Sequence, residues 1–361
     1  ADRIRANIVS GKLQILPVAR YNEVLAMIDE GLTDISFSRP SADIPWGVPV
    51  PGDDKQTMYV WCDALSNYLS AIGYGREEAD AGKLMLYWPA DIQIIGKDIL
   101  RFHAIIWPGM LLAAGLPLPK VLIAHGHILS GAKKMSKTIG NVVDPNEVIK
   151  EYGAEILRNY LVSEIPNFDD GDFTMERFAE VYEAKFANSI GNIVSRIAAM
   201  IEKYSPQGIP RPERTVVQAY RLRRFVPASA KEELVEVKGE DVELYVSQLA
   251  MQEYEKFMQQ YHIGDASRVG WRLLEQCDAY IQEYAPFKLA ATDLEGAKAV
   301  LWNATLLLLG AMQMLRPIMP ETTERVFAVF HISPDAPMET WNEIHAARVT
   351  PLFPRKTPEA H

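Results

Sequence analysis

Val121-Leu122-Ile123-Ala124-His125-Gly126-His127-Ile128-Leu129-Ser130-Gly131-Ala132-Lys133-Lys134-Met135-Ser136-Lys137-Thr138 is the stretch on which the chain changes character. Its first four residues read as a buried apolar strand, which runs out into small, flexible residues. Lys134 and Lys137 stand three positions apart and flank Ser136. Beyond them, Asp144-Pro145-Asn146-Glu147 has the order of a helix start, with aspartate at the N-cap, proline at the first helical position and glutamate in the first turn. A flexible basic loop between a strand end and a helix can close over a polyphosphate and neutralise charge that develops during displacement.

Upstream of this loop the pattern alternates. Val24, Leu25 and Ile28 mark one face of a short helix that Gly31 ends. Leu32 to Pro40 reads as a strand reaching Arg39, followed by a Pro/Gly-rich loop through Asp54. Met58 to Ala64 reads as a strand feeding a helix from Leu65 to Ile72. Asp91 to Ile95 is a further strand, Gly96 a turn, and Asp98 the start of a long helix interrupted by Pro108. Lys120 to Ile128 is the last strand. Ile- and Val-rich strands alternating with helices imply a parallel sheet, whose ligands sit at the strand carboxyl ends. Trp61 to Asp63, Gly96 to Asp98 and the lysine loop are all expected there.

Downstream the pattern is helical. Val148, Tyr152, Ile156 and Tyr160 keep helical spacing, and long helices are expected at 175–204, 241–261, 266–284 and 294–314. A Pro- and Arg-rich connector occupies 205–238. The fold expected is therefore α/β followed by all-α: a Rossmann-type parallel sheet, then a helical bundle. The boundaries are 1–128 for the sheet domain, 129–172 for the lysine-loop segment, and 173–361 for the bundle and tail.

The 361 residues are 48% hydrophobic and carry a formal net charge of −10, which argues against a surface that binds nucleic acid all over. A local stripe is compatible with it, and Arg211, Arg214, Arg221, Arg223 and Arg224 cluster, although a solvated charged loop is the preferred reading of them. The greasy run Leu306 to Leu315 is too short to span a bilayer and no signal peptide opens the chain, so a cytoplasmic location away from membranes is expected. Cys62 and Cys277 make neither a disulfide framework nor a zinc knuckle. His125 and His127 alternate on a strand, so one is expected in the core and one exposed, with no metal between them.

Gly96 lets a ligand approach the backbone, and Asp98 can accept from ribose hydroxyls or simply cap its helix. Ile99 and His103 share a helix face, where they wall a small apolar pocket or merely fill the core. Trp61, Ala64 and Tyr68 offer aromatic surface suited to a thioether, or again to ordinary core packing.

Taken together, Tyr59-Val60-Trp61-Cys62-Asp63-Ala64, Ile95-Gly96-Lys97-Asp98-Ile99-Leu100-Arg101-Phe102-His103 and Lys134-Met135-Ser136-Lys137-Thr138, in this order, resemble the methionyl-tRNA synthetase family of class I aminoacyl-tRNA synthetases. Gly140 to Pro145 and Pro351 to Arg355 fit the same family. The resemblance implies ATP-dependent activation of methionine and its transfer to tRNA(Met). In that pattern Trp61, Ala64, Tyr68, Ile99 and His103 line the methionine pocket. Gly96, Asp98 and His125 hold the nucleotide, Lys134, Ser136 and Lys137 form the phosphate-side loop, Lys137 contacts ATP, and Arg39 takes a basic active-site position. Asn192, Arg196 and Phe287 fall at anticodon-reading positions, with Phe287 where the family commonly has tryptophan. Magnesium accompanies ATP, and no zinc site is expected.

The family's His-x-Gly-His element and its inserted domain have no counterpart here. The resemblance thus implies the carboxy-terminal part of such an enzyme, partnered by the other half and monomeric in its own right. A tRNA-binding piece without catalysis and a sister class I synthetase for another apolar amino acid are the alternatives. A nicotinamide-binding fold is disfavoured, since no Gly-x-Gly-x-x-Gly follows a strand.

Overall fold

A computed structural model describes residues 1–75, 82, 84, 86–136, 138, 140–213, 216, 219, 241–347, 349 and 352–353. Lys137, Arg214, Arg221, Arg223, Arg224, Pro351, Pro354 and Arg355 lie outside the described residues. The chain divides into two compact units, Ala1–His127 and Ile128–His361.

In the first unit the opening residues are ordered elements: α1 (Asp2–Val9), β1 (Gln14–Leu16) and α2 (Val18–Asp29). Three short strands follow, β2 (Ser38–Pro40), β3 (Pro49–Val50) and β4 (Asp53–Met58), paired antiparallel in the order β2-β4-β3. They are followed by α3 (Val60–Ser70), β5 (Ile92–Gly96), α4 (Trp107–Ala113) and β6 (Val121–His125). Strands β1, β6 and β5 form the parallel sheet in that order, with Gln14 and Ile92 both in register with Val121. One face is buried: Ile15, Ile95, Leu122 and Ala124 pack with Ile4, Ile8, Val24, Ile28 and Leu100. On the other face Val121 and Ile123 of β6 are buried, while their β5 neighbours Ile92 and Ile94 remain 42% and 66% exposed, although parallel strands are usually covered on both sides.

Several expectations for this unit are corrected. The strand expected at 58–64 ends at Met58, and the helix already begins at Val60. Its alternation was masked because Trp61, Leu65 and Leu69 also satisfy helical spacing, and Leu65 and Leu69 are the buried pair. The strand expected at 32–40 is only Ser38–Pro40, and it belongs to the antiparallel sheet. The last parallel strand stops at His125, not Ile128. The helix after Gly96 is a 3-10 turn at Lys97–Ile99, a π-helical run at Phe102–Ile106, and then α4. Pro108 cannot donate to the preceding turn, and the helix widens just before it, the Trp107 N–H reaching the carbonyl of Phe102.

The second unit opens with a hairpin, β7 (Ile128–Ser130) and β8 (Lys133–Lys134), whose turn residues Gly131 and Ala132 both have positive φ, 62° and 58°. This is the turn that matches the twist of a two-residue hairpin. Two helices follow, α5 (Pro145–Tyr152) and α6 (Ala154–Ser163). As expected, Asp144 caps α5, accepting from the amide of Asn146 at 2.8 Å. The short β9 (Gly171–Asp172) pairs parallel with β7. A continuous helical run then covers 175–204 as α7 (Met175–Val181), a π-helical stretch Tyr182–Ile190, and α8 (Gly191–Tyr204).

Among the described residues the remainder is β10 (Ile209–Pro210), a helical turn Val242–Leu244 leading into a π-helical stretch Tyr245–Ala250, α9 (Met251–Gln259), α10 (Ile263–Tyr284), a helical turn Pro286–Leu289, α11 (Leu294–Leu315), α12 (Pro320–Val329), a 3-10 turn Met338–Thr340 and β11 (Glu343–Ile344). α11 is long and apolar enough by itself to cross a membrane, which the run from Leu306 alone did not reveal, but 89% of that window is buried among neighbouring helices. Its fully buried leucines each contribute about 1.5–3 kcal/mol relative to exposure. Far along the chain, Glu155 on α6 caps α12 across the bundle. Its carboxylate accepts from the amides of Glu321 and Thr322 at 2.6 and 2.9 Å and from the Thr322 hydroxyl at 2.6 Å.

Candidate functional site

Five expected pocket residues lie in the first unit, on α3 and on the helical run after β5. Trp61 occupies the first turn of α3, with Ala64 and Tyr68 one and two turns on. The Trp61 ring stacks on Phe102, centroids 4.0 Å apart and planes 12° from parallel, and meets His103 edge-on at 6.1 Å. Tyr68 meets the same imidazole at 5.8 Å. Phe102 was missed as a site residue although it lies inside the motif that carries His103.

The hydrogen bonds of His103 fix its state. Nδ1 lies 3.1 Å from the Ile99 carbonyl oxygen, which can only accept, so Nδ1 carries the proton. In the neutral ring that burial favours, Nε2 then holds a lone pair and accepts from the Tyr68 hydroxyl at 3.0 Å. Burial drives the histidine below its ordinary pKa, opposed by the Ile99 bond, and burial likewise raises that of Tyr68. The result is a neutral, mostly aromatic wall with a single polar seam. Ala64 is exposed.

Gly96 ends β5 and Asp98 sits in the following 3-10 turn. A methyl group added to Gly96 would lie 2.7 Å from the Asp98 carboxylate, so only glycine lets that carboxylate fold over the strand end. Asp98 does not cap the helix; the cap position belongs to Gly96. His125, in register with Gly96, ends β6. It is exposed and His127 is half-buried, so neither is the core histidine expected from alternation. Among the expected site segments of this unit, Gly96 to Asp98 and His125 stand at carboxyl ends of the parallel sheet; Trp61 does not. Arg39 is turned onto its own strand. Its guanidinium donates to the carbonyls of Ser36 and Ser38 at 3.2 and 2.8 Å and covers the Tyr59 ring at 4.1 Å.

In the second unit Lys134 is exposed and Ser136 half-buried on the segment after the β7–β8 turn. The Ser136 amide donates to Asn141 Oδ1 at 2.9 Å, and Ser136 Oγ accepts from the Thr138 amide at 3.3 Å.

On α8, Asn192 is exposed and donates to the Asn188 carbonyl at 3.0 Å. Arg196 is not a free base reader: it pairs with Asp278 of α10 at 2.5 Å, and the other Asp278 oxygen accepts from Gln282 at 2.6 Å. No sequence signal pointed to Asp278. Phe287, just past the end of α10, is 50% exposed with Lys288 near its ring. Arg211, the described member of the arginine cluster, pairs with Glu243 and donates to the Glu339 carbonyl at 2.8 Å. Among the described residues no group of three or more His, Cys, Asp or Glu side chains is placed to hold a metal ion.

Comparison with known proteins follows the same residues. The methionine–tRNA ligase of Caldanaerobacter subterraneus subsp. tengcongensis is 37% identical over 332 residues, covering 91% of this chain and 48% of that protein. The methionine–tRNA ligase of Bacillus subtilis is 36% identical over 98% of this chain and 52% of its own length. A crystal structure of Mycobacterium tuberculosis methionyl-tRNA synthetase bound by methionyl-adenylate superposes with a TM-score of 0.81 at 29% identity, covering 98% of this chain and 66% of that one. The chain thus spans about half the length of the curated relatives it matches. The family model for tRNA synthetases class I (M) matches residues 2–198, which takes in the parallel sheet, the aromatic cluster, the lysine segment and the start of the helical unit, and the chain belongs to that family.

Proposed function

We propose that the chain serves in methionine–tRNA ligase chemistry, activating methionine with ATP and transferring it to tRNA(Met). The observation that carries this is the aromatic cluster of Trp61, Phe102, Tyr68 and His103 with the neutral Tyr68–His103 hydrogen bond in it. Aromatic faces and a polar seam without charge suit a thioether, which is polarisable and weakly accepting. A charged side chain would lose its hydration there without a counter-ion.

In this reading Trp61, Ala64, Tyr68, Ile99 and His103 hold methionine. Its carboxylate attacks the α-phosphorus of ATP, which enters with magnesium as part of the substrate, and pyrophosphate leaves as methionyl-adenylate forms. Gly96, Asp98 and His125 take the nucleoside side. Lys134, Ser136 and Lys137 meet the negative charge on the leaving phosphates, and Arg39 adds positive charge after giving up its present carbonyl partners. A ribose hydroxyl at the tRNA 3′ end then attacks the activated carbonyl and AMP leaves. No covalent nucleophile from the protein is needed; positioning and electrostatic stabilisation supply the catalysis.

Residues 1–128 act as the nucleotide-binding domain, 129–172 as the lysine-loop and stem-contact segment, and 173–361 as the anticodon-binding domain. Asn192, Arg196 and Phe287 read the anticodon, Arg196 by exchanging Asp278 for a base edge and Phe287 by stacking. The work is that of a cytoplasmic enzyme with this chain as a monomer. The exposed Ile92 and Ile94 face supports a role for the other half of such an enzyme in covering the sheet.

The test is methionine-dependent exchange of labelled pyrophosphate into ATP, with leucine and isoleucine as controls. Exchange with methionine alone, in this chain or after adding the complementary half, is the expected result. Exchange with another apolar amino acid would assign a sister specificity. tRNA binding with no exchange under either condition would reduce the role to tRNA docking.

A further inference from the structure

We infer that Asn141 is the positioning residue that holds Lys134 and Ser136 in place, an inference that rests on the proposed phosphate-side role of this loop. Its side chain bridges three backbone groups. Oδ1 accepts from the Ser136 amide at 2.9 Å, while Nδ2 donates to the carbonyls of Ser130 and Lys134 at 3.2 and 3.4 Å. The orientation of the amide is forced, because one contact is an N–H and the other two are carbonyl oxygens.

No other side chain meets this demand. A carboxylate keeps the Ser136 bond but faces two carbonyls with no proton to give. Glutamine is one methylene too long, and alanine satisfies none of the three. The chain reaches this geometry through Gly140, whose φ is 74° and whose amide donates to the Ser136 carbonyl at 3.0 Å.

A second anchor acts from the other side. The amide of Ala132, in the left-handed region, donates to Asp172 Oδ1 on β9 at 2.9 Å. Asn141 and Asp172 therefore hold opposite flanks of the segment that carries Lys134. Asp172 fixes the turn, and Asn141 fixes the return strand and the backbone of Ser136. The exposed Lys134 ammonium projects from a backbone that is held on both sides, so little ordering remains to be done when charge develops opposite it.

The experiment compares Asn141→Ala and Asn141→Asp with the unaltered chain by amide hydrogen exchange, and by pyrophosphate exchange under the conditions in which the unaltered protein is active. In Asn141→Ala the Ser136 amide is expected to exchange about tenfold faster or more, from the loss of a hydrogen bond. In Asn141→Asp that amide stays protected. The Tyr160 amide, within α6, should be unchanged in both, which separates loop release from unfolding. The maximal pyrophosphate-exchange rate should fall in both variants with the methionine KM unaltered, since the methionine pocket is untouched. An unchanged Ser136 amide in Asn141→Ala overturns the anchoring. Faster Ser136 exchange with unaltered kinetics overturns the loop's phosphate-side role while leaving the anchoring in place.

Discussion

Replacing Tyr68 by phenylalanine removes one oxygen and leaves His103 Nε2 with no protein donor. His103 is 2% exposed, so its lone pair cannot turn to bulk water in place. A buried acceptor without a partner costs roughly 1–3 kcal/mol, against about 0.5–1.5 kcal/mol for the net worth of an ordinary hydrogen bond. Because Tyr68 is itself 38% exposed, water can approach the vacated position, and a value near the lower end, about 1–2 kcal/mol, is expected. The assay is urea unfolding of four proteins: unaltered, Tyr68→Phe, His103→Leu and the double variant. In the His103→Leu background Tyr68→Phe should cost close to nothing, giving a coupling energy of about 1 kcal/mol or more. An equal cost of Tyr68→Phe in both backgrounds would refute a stabilising hydrogen bond between Tyr68 and His103 and the polar seam built on it.

Four further outcomes follow from burial and close packing. Gly270→Ala should destabilise by about 1–3 kcal/mol, since the new methyl would lie 2.9 Å from Leu315 Cγ and 3.2 Å from the Ala311 carbonyl. Gly109→Ala in α4 should instead stabilise, by up to about 1 kcal/mol, because only Ile4 Cδ1 at 3.8 Å is nearby; urea midpoints of opposite sign check the pair. A thiol reagent should titrate Cys62 in the folded protein but Cys277 only after denaturation, since Cys277 is fully buried, donates to the Ala304 carbonyl and has its pKa pushed far up by burial. Finally, the folded-state pKa of His103 lies below the ordinary 6.5, so the unfolded chain takes up a proton below that pH that the folded one refuses. The stability His103 allows is intact above about pH 6.5 and declines as pH falls below it, and His103→Gln should flatten that decline in melts between pH 7 and 5.

What was legible in the sequence was periodicity and local chemistry. The helical run 175–204 and helices α10 and α11 came within a few residues of their observed limits, because long amphipathic or wholly buried helices leave a strong signal. Asp144-Pro145 at the start of α5 was equally plain. The stretch 58–64 misled because Trp61, Leu65 and Leu69 fit a helix as well as their neighbours fit a strand, and only contact with Trp107 and Leu111 decides between them. The three-residue β1 was too short to show any period.

Partnerships between distant residues were invisible. Arg196 with Asp278 and Phe102 against Trp61 depend on packing that no spacing rule encodes. Asn141 was noticed only as part of a motif, because its three bonds require a hairpin whose turn holds Ala132 in the left-handed region.

The cap that Glu155 places on α12 also governs how the helical unit is made. Its partners Glu321 and Thr322 follow 166 and 167 residues later. At a synthesis rate of about 5–20 residues per second, roughly 10–30 s separate α6 from the segment that completes it. Over that interval the apolar faces that α10, α11 and α12 will cover are exposed on a nascent chain. The unit therefore closes late, through contacts of long sequence separation that slow folding, and the cap on α12 forms only after residue 322 has been made.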